Sequence, residues 1–170
     1  MYKYISYIWL AVILLFAQIF LLDNISMAMW LRPMIFPLIV VLLPLEWRTI
    51  WVLLSALAVG IIMDSSLGGA GLYTATLLPL AVVRAPLLYM TTHRYVEHSD
   101  QTALLPRLDF RQLMFYIAVA FMLHHAMFFA MESLSFADLS QLLLRIIAST
   151  LLSIVIVWPI TRLFMSKLSA

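Results

Sequence analysis

A chain of 170 residues that is 65% hydrophobic and only 11% Asp, Glu, Lys and Arg lies far from soluble domains, which run at roughly 45–50% apolar and about 25% charged. That composition excludes a soluble globular protein. The formal charge of +2 excludes a nucleic-acid binder built on many phosphate contacts, and the absence of cysteine excludes disulfides, thiolate nucleophiles and thiolate metal sites.

Six apolar stretches of about 20 residues would use roughly 120 positions, so no separate water-soluble domain fits. Residues 1–170 read as a single transmembrane domain of all-α type with six spans, at about 4–22, 32–45, 46–63, 72–90, 112–131 and 136–165. The first follows Lys3 and ends at Asp23-Asn24; its long core and the lack of a small-x-small site make it a retained helix instead of a signal peptide. The second is expected to start at Arg32-Pro33, with Pro33 in the first helical turn. Its 13 residues from Pro33 reach only about 20 Å as a helix, short for a hydrocarbon core of about 30 Å. Pro37 and Pro44 therefore predict a segment kinked, tilted or partly unwound where protein surrounds it.

The third span closes on Asp64-Ser65-Ser66 and the glycines Gly68, Gly69 and Gly71. The fourth carries Pro79, Arg84 and Pro86, and the fifth holds His124-His125. Between them, residues 91–111 form the single long polar connection. Asp109 with Gln112, and Ser135 with Asp138, are expected helix starts.

Orientation follows from Lys and Arg. A cytoplasmic N-terminus puts Lys3, Arg48, Arg94, Arg107, Arg111, Arg162 and Lys167 inside, seven of the ten, as cytoplasmic loops require. Both termini are thus expected in the cytoplasm, with Trp30 near the outer interface and Trp47 and Trp51 near the inner one.

No catalytic constellation is apparent. There is no His-Glu-x-x-His, no nucleophile elbow around Ser65, Ser66, Ser133 or Ser135, no second aspartate facing Asp64 and no phosphate-cradling loop with Lys. A non-enzyme with no cofactor and no metal is expected. His124 and His125 point about 100° apart on a helix and cannot share a metal; they read as neutral side chains satisfied by packing. His125 and Glu132, seven residues apart, share a face and are expected to pair near the outer end, where Arg145 is a further partner for Glu132. Arg84 is expected to snorkel to the cytoplasmic headgroups. The spacings Ala56-x-x-x-Gly60, Ala81-x-x-x-Ala85 and Ala126-x-x-x-Ala130 allow close helix approach.

The stronger pattern joins Arg32-Pro33, at the outer start of the second span, to Gly60-x-x-x-Asp64 and Gly68, Gly71 at the outer end of the third. Arg32 and Asp64 are expected to pair beside a tight, Gly-rich turn. Leu31-Arg32-Pro33, an apolar stretch, then Val59-Gly60-Ile61-Ile62-Met63-Asp64 followed by Gly68 and Gly71 resembles MreD, the rod shape-determining membrane protein family of bacteria. The resemblance implies a non-enzymatic component of the cell-elongation machinery in the bacterial inner membrane. It implies binding to the single-span protein MreC and support for the peptidoglycan polymerase and transpeptidase of the elongation complex. It also implies a fold similar to the substrate-binding subunits of energy-coupling-factor transporters.

That fold supplies the alternative, a substrate-capture subunit of a vitamin-type transporter. Such a subunit needs convergent polar groups in an outward cavity and a small-residue docking face on its first helix, where this chain offers the alanines Ala11 and Ala17 among bulky residues. A protein-binding module is the favoured reading. A passive pore is disfavoured, since no span carries a continuous polar stripe.

Overall fold

The computed structural model describes residues 2–23, 31–45, 47–92, 109–133 and 138–169. Among them all regular structure is helical: α1 (Tyr2–Phe16), continuing in π-helical turns over Ala17–Leu22, then α2 (Pro37–Leu42), α3 (Thr49–Leu67), α4 (Leu72–Thr92), α5 (Phe110–Ser133) and α6 (Leu139–Ser169). Five of these are long and apolar enough to cross a membrane, α1 with its π-helical extension and α3 to α6. Trp30, Ser135 and most of the 91–111 connection fall outside the described residues.

Chain neighbours pack on one another: α3 on α4, α4 on α5 and α5 on α6, with α2 against α1, α3, α4 and α5. Every residue of α2 is buried, while bulky apolar side chains such as Trp9, Ile13, Leu144 and Val155 stay exposed on the outer helices. This is the reverse of a soluble bundle and fits a surround of lipid.

The second expected span is the main correction. Residues 31–35 are not helical, Pro33 precedes the helix by four residues, and it is Pro37 that occupies the first turn of the six-residue α2. Length explains the unwinding. An α-helix rises about 1.5 Å per residue and extended backbone about 3.3 Å, so unwound ends on a short helix let this stretch run the length of the bundle.

Unwinding exposes backbone polar groups, which hydrocarbon cannot satisfy. Here side chains satisfy them. The Gln18 amide donates to the Pro33 carbonyl at 3.2 Å and accepts the Ile35 N–H at 2.7 Å. One helical turn apart on α6, Ser149 Oγ accepts the Arg32 N–H at 3.3 Å and Ser153 Oγ accepts the Met34 N–H at 3.0 Å. At the far end Arg84 donates from Nη1 to the Val40 carbonyl at 3.0 Å and from Nη2 to the Pro44 carbonyl at 2.8 Å. Arg84 is only 4% exposed. It does not snorkel; its planar fork closes the carbonyl end of α2, a geometry open to a guanidinium.

Candidate functional site

At the end of the bundle where α3 meets α4, the expected motif residues come into one neighbourhood. α3 closes on Gly68, whose φ of 67° lies in the left-handed region, and the turn continues through Ala70 at φ 50° and Gly71 at φ 92°. Gly68 and Gly71 suit that backbone because they lack a Cβ, whereas Ala70 adopts it against its preference. Gly69, one of the glycines that close α3 but not part of the expected motif, is a close approach: a Cβ there would collide with the Tyr73 ring and stand 2.6 Å from Asp64 Oδ1.

Asp64 caps α4. Its Oδ1 accepts the Tyr73 N–H at 3.0 Å, and its Oδ2 accepts the Thr74 N–H at 2.9 Å and the Thr74 hydroxyl at 2.6 Å. A carboxylate here satisfies N–H groups that the first turn leaves unpaired and faces the positive end of the helix. The hairpin is drawn tight at the same point, because a Cβ at Gly60 would stand 2.6 Å from Thr74 Oγ1.

The expected Arg32–Asp64 pair is therefore replaced by two separate arrangements. Arg32 Nη1 meets Glu132 Oε1 at 2.8 Å, and Arg145 Nη2 meets Glu132 Oε2 at 3.1 Å. Asp64 already has nearby donors on its own hairpin, whereas Glu132 at the end of α5 faces both guanidiniums. Arg145 also lies over the Phe129 ring, 4.7 Å from its centroid. At the end of the first span, partial desolvation lifts the Asp23 carboxyl above its ordinary range, while the nearby Arg32 guanidinium pulls it down. Tyr73 is close enough to Arg32, Asp23, Glu132 and Asp64 for each to act on it electrostatically.

His125 does not meet Glu132. Its Nδ1–H donates to the Phe121 carbonyl at 2.8 Å, which leaves Nε2 as the acceptor for the Ser153 hydroxyl at 3.4 Å. Ser153 thus links the Met34 N–H to the His125 ring, and the histidine helps hold the unwound segment. His124 is fully buried against the Phe36 ring, 5.3 Å between centroids, and neither of its nitrogens makes a hydrogen bond.

The structure thus gathers Arg32, Asp64, Gly68, Gly71, Glu132 and Arg145 at one end, with Gly60 one turn from Asp64 along α3. Pro33 and His125 sit just inside, in the polar bracing of residues 31–35. Gln18, Ser149, Ser153 and Thr74 complete the arrangement and were not singled out from the sequence. Their signal was present: Gln18 is a lone amide in an apolar stretch, and Ser149 and Ser153 are spaced to share a face.

Chemically, most of the polar groups here are committed to holding backbone or to one another. Among the described residues no three His, Asp or Glu side chains are arranged to hold a metal ion. Arg32, with its side chain 47% exposed, is the charged member that faces outward. No family model, curated protein or solved structure matches the chain.

Proposed function

We propose that this chain is a non-enzymatic, multi-pass component of the bacterial inner membrane that binds and positions partners in the rod-shape, cell-elongation machinery. MreC is the direct partner in this reading, and the peptidoglycan polymerase and transpeptidase are supported through it. The resemblance to MreD brings the proposal. The observation that carries it is the commitment of Arg32, Asp64 and Glu132 to a braced end of the bundle, an arrangement suited to presenting a fixed surface. With both termini in the cytoplasm, as the cation count favours, that end faces outward, where the outer domain of a single-span partner would stand.

The alternative, substrate capture for a transporter, draws support from the unwound second segment, since broken helices often frame transporter binding sites. Against it, residues 33–45 are buried throughout and the donors of Arg32, Met34 and Ile35 are already taken.

Depletion in the source cell combined with affinity purification from native membranes tests the reading. Rounded cells with intact lipid-linked precursor synthesis, and MreC among the co-purifying proteins, are expected. A retained vitamin-sized ligand together with a nucleotide-hydrolysing module would replace this function with the transporter one.

A further inference from the structure

At the end of the bundle away from the motif cluster, a cavity of about 30 Å³ lies beside Arg84, between α4 and the start of α3. Its wall runs from the buried Arg84, Ala81 and Val52 to Thr49 and Ala85, which are exposed. Thr49 is the first residue of α3. The cavity therefore opens where that span starts, at the level where hydrocarbon gives way to water.

The charge of Arg84 is the anomaly of this place. The side chain is 4% exposed, and buried charges are ordinarily paired. The Val40 and Pro44 carbonyls each accept one N–H from it, but a carbonyl is a neutral dipole, and a guanidinium has five N–H donors. Among the described residues no carboxylate pairs with Arg84; both ion pairs lie at the motif end, on Glu132. A second source of positive potential is independent of the first. Arg48 gives α3 no side-chain cap, so the positive end of a 19-residue helix meets the cavity at Thr49.

Size selects among occupants. A water needs roughly 10–15 Å³ of such space, so a cavity of about 30 Å³ admits one particle somewhat larger than water and not a whole phosphate or carboxylate group. A water molecule would fill the space and leave the charge as it is. A monatomic anion fills the space and compensates the charge.

We propose that this cavity binds one chloride ion as the counter-ion of Arg84. The ion neutralises the guanidinium from the side that faces α3 while the fork holds the end of α2 from the other, so anion binding steadies the Pro44 end of the second segment. The site lies apart from the motif cluster and does not rest on the function proposed above.

Thermal unfolding of the full chain in detergent tests this, with gluconate exchanged for chloride or bromide at constant ionic strength. The midpoint is expected to rise by roughly 4 °C by about 0.3 M halide and to level off, as one saturable site requires. Arg84→Gln removes the fork as well as the charge, so Ala85→Leu, which narrows the cavity and leaves Arg84 in place, is the deciding variant. It is expected to unfold at a midpoint that no longer responds to halide. Glu46, outside the described residues, stands next to the lining residue Trp47 in the sequence and is the rival source of negative charge; Glu46→Gln is expected to keep the halide response. A wild-type protein indifferent to halide would overturn the proposal, and a response that appears only in Glu46→Gln would name Glu46 as the counter-charge instead. A response that survives Ala85→Leu would place the ion elsewhere and overturn it too. So would stabilisation by phosphatidylglycerol in nanodiscs with no response to chloride, which would make a lipid phosphate the partner of Arg84.

Discussion

Arg32 and Glu132 stand 2.8 Å apart, and the second oxygen of the same carboxylate takes Arg145 at 3.1 Å. One acid thereby ties the unwound segment that follows the first span to the end of α5 and the first turns of α6. A double-mutant cycle on reversible unfolding in mixed micelles should give coupling of about 0.5–1 kcal/mol for Arg32 with Glu132, the scale of partly exposed pairs, and less than about 0.5 kcal/mol for Arg32 with Asp64, as for independent sites. Glu132→Ala should cost more than Arg32→Ala, because it leaves two guanidiniums facing each other. Stronger coupling to Asp64 than to Glu132 would contradict the arrangement.

A second prediction concerns Arg84, whose fork holds the Val40 and Pro44 carbonyls. Arg84→Leu leaves both acceptors unpaired in a buried place and should destabilise the protein by about 2–4 kcal/mol. Arg84→Lys keeps the charge but reaches the two carbonyls poorly, so it should recover only part of the loss. A snorkelling arginine would be replaced by lysine at almost no cost, and a silent Arg84→Lys in the same unfolding assay would restore that reading.

How much of this was legible in the sequence depends on distance along the chain. Apolar runs announced the five long helices, and the shortness of the second stretch, with Pro37 and Pro44, announced a segment kinked, tilted or partly unwound, of which the structure shows the unwinding. The turn after Asp64 was legible for the same reason, since Gly68 and Gly71 mark positive φ locally. What stayed hidden was which distant polar groups would meet. Arg32 and Glu132 are a hundred residues apart, and nothing in the spacing says that Glu132 outcompetes Asp64 for the guanidinium. Arg84 was misread because a long side chain near a helix end can equally reach headgroups or a neighbour's carbonyls. The choice is made by α2, which ends beside it.

The capping role of Asp64 yields a third prediction. Asp64→Ala removes the acceptor for two N–H groups and a hydroxyl at the start of α4 and should cost about 1–2 kcal/mol, the range for a lost N-terminal cap. Asp64→Asn keeps an acceptor but not the charge facing the helix dipole and should cost about 0.5–1 kcal/mol. Hydrogen exchange should locate the damage, with the Tyr73 and Thr74 amides losing protection in Asp64→Ala while those of α6 keep theirs. Loss spread evenly over the bundle would mean that Asp64 is not a local cap.

The fourth prediction rests on how closely α3 and α4 approach. A Cβ at Gly60 would stand 2.6 Å from Thr74 Oγ1 and 2.7 Å from Thr74 Cα, both well inside ordinary contact, so the helices must move apart to admit it. Gly60→Ala should therefore cost about 1–3 kcal/mol, as overpacking does, even though alanine favours helix more than glycine by about 1 kcal/mol. Thr74→Ala on the Gly60→Ala background removes the hydroxyl clash but leaves the Cα clash, so it should relieve only a fraction of the cost. Thr74 is also a donor to Asp64, and Gly60→Ala should consequently be non-additive with Asp64→Ala, coupling by at least about 0.5 kcal/mol as residues in one contact network do. Additivity of those two substitutions, measured by the same unfolding curves, would show that the close approach and the cap are separate features of the hairpin.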